Sequence, residues 1–131
     1  MIRRPRQPEK VEQAHIVQLL RSLGAGVWVT GTRRPRGDYP GTRMTPGLPD
    51  VFAFLPHPPH AAPGDARLLI VEVKAAGGRP SMEQQAFAAW CHVAQVAHVC
   101  GDLDAVIAWL IEAQYLESNQ VAHYRAPMRA T

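Results

Sequence analysis

At 131 residues and 14.4 kDa the chain has the length of one domain, able to bury a core without disulfides or a structural metal. Hydrophobic residues make up 47% of it and charged ones 19%, and no apolar run approaches the roughly 18 residues of a membrane span. Net charge is +3, but residues 1–50 carry nine Lys/Arg against four Asp/Glu while residues 51–131 carry five against seven, so the basic character sits in the first half.

The opening MIRRPRQPEK is basic with no apolar stretch behind it and does not read as a secretory leader, so a cytoplasmic protein is expected, with a basic tail over residues 1–8. From residue 9 to 23 the spacing of Val11, Ile16, Leu19, Leu20 and Leu23 predicts an amphipathic helix closed by Gly24. GVWVT at 26–30 reads as a strand. Residues 31–49, rich in Gly, Pro and Arg, form a long loop of the kind that often carries function. DVFAFL at 50–55 is a second strand, a His/Pro-rich connection fills 56–66, and RLLIVEVKAA at 67–76 is the most strand-like segment of the chain. GGRP then breaks the run, and Ser81 with Gln84 behind it marks the start of a helix reaching about Gln95. A strand at 97–100 precedes a helix capped by Asp102 and running to about Leu116, after which 117–131 reads as a polar tail. The succession predicts an α/β fold with a mixed central β-sheet flanked by helices: strands two and three antiparallel, and the strand after the second helix added in parallel. A single domain over 1–131 is expected, with an ordered core of about 9–116.

Glu72 and Lys74 stand inside the apolar run LLIVEVK. An ion removed from water there costs several kcal/mol unless something compensates it. Alternation along a strand puts the two charges on one face, and Asp50, opening the preceding strand, can lie beside Glu72. Two adjacent carboxylates repel unless a cation lies between them. With the backbone carbonyl of Val73 they make an oxygen donor set suited to Mg2+ or Mn2+, and Lys74 beside it suits phosphodiester hydrolysis. The plainer alternatives are a turn residue at Asp50 and a same-face ion pair of Glu72 with Lys74. Gln84 shares the face of Phe87, Cys91 and Ala94, either as a site residue or as a satisfied helix-start amide. Glu12 faces inward at the start of the first helix, although a first-turn acid is commonly solvated. The clusters Arg3, Arg4, Arg6 and Arg33, Arg34, Arg36, with Arg43 behind them, suit phosphate oxygens, or are solvated surface. Cys91 and Cys100 read as reduced thiols, and their spacing with His92 and His98 matches no common zinc module.

PGLPD, then EVK, then SMEQQAFAAW, in that order, resembles the VRR-NUC family of the PD-(D/E)XK nuclease superfamily over about residues 9–112. The resemblance implies a restriction-endonuclease-like core and Mg2+- or Mn2+-dependent cleavage of DNA. It makes Asp50 and Glu72 the metal-binding carboxylates and Val73 a backbone-carbonyl ligand. Lys74 becomes the catalytic lysine, Gln84 the downstream glutamine, and Glu12 the acid of the first helix, which reaches the metal through water. It further implies a homodimer acting on branched DNA such as four-way (Holliday) junctions, with Arg33, Arg34, Arg36 and Arg43 on backbone phosphates. Departures from the family pattern are the long His/Pro-rich connection and Met82 where proline is common. Competing readings are a non-cleaving DNA-binding or assembly module with the same fold, and a flap-type or sequence-specific nuclease.

Overall fold

The computed structural model describes residues 8–30, 48–59 and 66–121. Three helices and four strands follow in the order α1 (Glu9–Ser22), β1 (Gly26–Val29), β2 (Val51–Leu55), β3 (Arg67–Val73), α2 (Met82–Val93), β4 (Ala97–Gly101) and α3 (Leu103–Glu112), with a short 3-10 turn at Ser118–Gln120. The strands form one mixed sheet in the order β1-β2-β3-β4. β1/β2 and β2/β3 are antiparallel, and β4 is added parallel to β3 after the α2 crossover. A parallel neighbour needs such a connection, whereas the antiparallel pairs need none.

Alternation divides the sheet cleanly. Val51, Ala53, Leu55, Leu69, Val71, Val73 and Val99 project to one face and are buried against Ile16, Leu19 and Leu20 of α1 and Val106, Ile107 and Leu110 of α3. Each such aliphatic side chain contributes roughly 1.5–3 kcal/mol when fully buried, so this layer is the principal core. The second face is covered near β4 by α2, where Phe87 lies 6.2 Å from the ring of His98 and Cys91 is buried. Toward β1 and β2 none of the described helices covers it.

All three helices end the same way. The amide two residues past the cap returns to a carbonyl of the last turn: Ala25 to Leu20, Val96 to Cys91, Tyr115 to Leu110. The residue between is left-handed in each case, Gly24 at φ +86°, Gln95 at +57° and Gln114 at +69°. Only the first is glycine, which explains two departures from the sequence expectations. The second helix closes at Val93, leaving Ala94 exposed at its cap instead of on the inward stripe. The third closes at Glu112 instead of about Leu116, yet Tyr115 and Leu116 remain buried because the chain folds back onto the same core. β3 is likewise shorter than expected and stops at Val73, before a turn in which Gly78 N–H donates to the Ala75 carbonyl at 2.8 Å and Gly77 has φ +83°.

Candidate functional site

The register Val51↔Val71 places Asp50, one residue before β2, across from Glu72 on β3. Its backbone is fixed on both sides, since Thr30 N–H donates to the Asp50 carbonyl at 2.9 Å and Asp50 N–H donates to the Val71 carbonyl at 3.2 Å. The Thr30 hydroxyl also donates to the carbonyl of buried Pro49. With the strand not yet begun, the Asp50 side chain takes the place of a ladder acceptor: Oδ2 receives Val73 N–H at 2.8 Å. Neighbouring strand residues present their N–H and C=O groups to opposite sides, and one residue presents both to the same side. The Val73 carbonyl is therefore directed toward Asp50, while Lys74 N–H donates the other way, to Gly101 on β4, at 2.8 Å.

Glu72 is only 3% exposed, on the face opposite the principal core. Its Oε1 accepts from Gln84 Nε2 at 2.6 Å, and its Oε2 is buried without a hydrogen-bond partner. Burial pushes this carboxyl up to about 8, helped by a hydrogen bond with Asp50 and by the Asp50 charge; Lys74 and Gln84 pull in the other direction. Two carboxyls that can share a proton must stand close together, and when both ionise neither has a donor to offer the other.

Gln84 both caps its own helix and donates to Glu72. Its Oε1 accepts Ser81 N–H at 2.8 Å while Ser81 Oγ accepts Gln84 N–H at 3.1 Å, a reciprocal cap on α2. With the amide oxygen so engaged, only the NH2 group is left for Glu72, which fixes the orientation of the amide. Gln85 points elsewhere, donating to the Pro80 carbonyl at 3.3 Å.

Glu12 is 2% exposed, so the solvated first-turn reading does not hold. Burial raises the thiol of Cys100, the charges of Glu72, Asp50 and Glu9 add to the rise, and Lys74 opposes it. Cys100 pairs with Glu72 across β3/β4 and is exposed, whereas Cys91 is buried under α2; both are free thiols. Their sequence spacing gave no sign that Cys100 borders the carboxylates; strand register supplies it. Arg33, Arg34, Arg36 and Arg43, together with the amino-terminal arginines, lie outside the described residues.

Among the described residues no three His, Cys, Asp or Glu side chains converge as a metal cluster. The donors that do meet are oxygens: two carboxylates, and a main-chain carbonyl directed to the same place. Such a set is chemically suited to a hard, hydrated divalent cation, which would favour the ionised form of Glu72 that burial disfavours. None of the described helices is long and apolar enough to cross a membrane. Comparison with protein-family models, with curated proteins and with solved structures gave no match.

Proposed function

We propose that the chain is a Mg2+- or Mn2+-dependent deoxyribonuclease of the VRR-NUC type, built on a PD-(D/E)XK core and acting on branched DNA as a homodimer. The observation that carries this reading is the buried carboxyl of Glu72 beside the half-buried carboxyl of Asp50. Glu72 holds an unpartnered oxygen beside Asp50, one residue before the end of β3, and Lys74 follows that end. An apolar pair of the same size would be cheaper to bury, so a chain that keeps these groups has a use for them that stability does not supply.

Asp50, Glu72 and the Val73 carbonyl are the groups that would hold the cation, with Glu12 reaching it through water, and its chemistry there is Lewis-acid polarisation of a phosphodiester and acidification of a water. Lys74, held at the strand end by its main-chain bond to Gly101, supplies a positive charge to the developing phosphorane and a position for the attacking water. Gln84 holds Glu72 in place through a bond whose direction is set by the α2 cap. The four arginines of residues 31–47 would take backbone phosphates, contacts that fix position without reading sequence. A two-fold pair of chains sets two such sites against two strands.

The test is cleavage of labelled four-way junction, 5′ flap, duplex and single-stranded DNA with Mg2+, with Mn2+ and with chelator, beside the Glu72→Gln protein. Metal-dependent cutting of branched DNA that vanishes in Glu72→Gln is expected. Binding without cutting under every condition would make the chain a DNA-binding module instead.

A further inference from the structure

The open part of the second sheet face is aromatic. Alternation and register place Trp28 and Phe52 in the row next to Glu72 and Asp50, and Phe54 in the row beyond. Successive rows on one face lie about 7 Å apart. Trp28 is 61% exposed and Phe54 55%, and their rings meet edge to face with centroids 5.5 Å apart. The indole is also held from below. Its benzo edge lies over Gly26, where an added Cβ would stand 3.1 Å from the ring. A large ring that packs over a glycine and against a second ring while staying open to solvent presents a flat apolar surface. Of the other exposed apolar residues, Met82, Trp90 and Val93 ride on α2, away from these rows.

We propose that Trp28 and Phe54 are a stacking platform for unpaired nucleobases, so that the substrate carries single-stranded nucleotides beside the phosphate that a cation at Asp50 and Glu72 would take. This rests on the nucleic-acid reading of that site. Three observations favour the occupant. The platform shares a face with the carboxylates, one to two rows away. The chain between the described ends Thr30 and Leu48 holds four arginines and one aspartate, a charge complementary to a polyanion. The two rings together offer on the order of 250 Å², well below the roughly 800 Å² per partner that a stable protein interface uses, but ample for a base. Bases inside a duplex already have both faces stacked, so only unpaired or terminal nucleotides can use it.

The test is binding of fluorescein-labelled oligothymidine and of a relaxed, covalently closed circular duplex, which has neither unpaired nor terminal bases, to the full Glu72→Gln chain and to its Trp28→Ala, Phe54→Ala and Trp28→Phe derivatives, with assembly mass measured by sedimentation. Trp28→Ala should weaken single-strand binding about ten-fold, leave duplex binding as it was, and be largely rescued by Trp28→Phe. If Trp28→Ala fails to fold, Trp28→Leu, which fills the space over Gly26 without a π face, gives the same reading. Unchanged single-strand affinity, or equal loss on both DNAs, would overturn the proposal. So would a change in assembly mass, which would assign the rings to a second copy. Stacking without cleavage of any DNA by the unmodified chain upholds this inference and removes the hydrolase. Cleavage alongside unaltered Trp28→Ala binding does the reverse.

Discussion

Glu72→Gln separates the electrostatic part of the site from its packing. The substitution keeps the shape and an oxygen to accept from Gln84, but removes the charge. In the folded chain the Glu72 carboxyl is raised from 4.5 to about 8, so between those values the native state holds a proton that the unfolded state has released. Stability contributed by the protonated group is complete below pH 4.5 and is lost as pH rises to 8. At about 1.4 kcal/mol per pH unit the window corresponds to a ceiling of about 5 kcal/mol, and water drawn to the ionised group reduces it to about 2 kcal/mol. Melting in chelator should therefore show the wild-type chain and Glu72→Gln equal near pH 4.5. By pH 8.5 the variant should melt higher, by about 4 °C for each kcal/mol. Mn2+ at pH 8.5 should raise the wild-type melting temperature and leave the variant where it was, since a cation stabilises the ionised pair that only the wild type has. A wild-type minus variant difference that is the same at pH 4.5 and 8.5 would refute the assignment of buried charge to Glu72.

Four further outcomes are expected. Lys74→Ala should lower kcat by about 100-fold or more in the cleavage assay with DNA affinity nearly kept; cutting at the wild-type rate would remove Lys74 from the chemistry. Gln84→Ala, which deletes both the Ser81 bond and the Glu72 bond, should cost about 1–2 kcal/mol in urea unfolding, whereas Ser81→Ala, losing the cap alone, costs about 1 kcal/mol. Gly101→Ala would set a Cβ 2.6 Å from that of Ala105. α3 must then shift, with a loss of about 1–3 kcal/mol and reduced cleavage because the Gly101 carbonyl holds Lys74. Gln114→Gly should stabilise the chain by up to about 1 kcal/mol, because the left-handed φ of +69° strains any residue with a Cβ; a lower melting temperature would mean that the Gln114 side chain makes a bond worth more than the strain.

Much of the architecture was legible because it follows from period and length. VFAFL and LLIVEV read as strands from their short apolar, β-prone runs, the second as covered on both faces, and the crossover helix dictates a parallel fourth strand; that VFAFL is covered on one face only is a finding of the structure. Element ends were legible only where glycine marks them. Gly24 announced the end of α1, but Gln95 and Gln114 occupy the same left-handed position without a sequence signal, and apolar residues continue beyond both. Hydrophobic spacing reports burial, and Tyr115 and Leu116 are buried after the helix has ended. The aromatic surface was hidden for another reason. Alternation puts Trp28, Phe52 and Phe54 on one face, but whether that face is covered depends on where α2 comes to rest, which is a tertiary outcome.

The carboxylates were legible for a reason that extends beyond this chain: a charge placed inside an apolar strand is a conflict between local sequence and burial, and such conflicts concentrate where function requires them. The structure shows how this one is contained. Asp50 answers a main-chain amide that β2 starts too late to meet. Gln84 answers one oxygen of Glu72 while closing the first turn of α2. Each neighbour is a structural residue as well, which is why the capping reading of Gln84 and the site reading never excluded one another. When both carboxyls are ionised, one buried oxygen of this pair, Glu72 Oε2, has no donor among the described residues and stands next to a second carboxylate. A hydrogen-bond donor in that position would have completed a structural network. Its replacement by an acid leaves a place whose natural complement is a cation, and the melting experiment with Mn2+ addresses that complement directly, whether or not any DNA is cut.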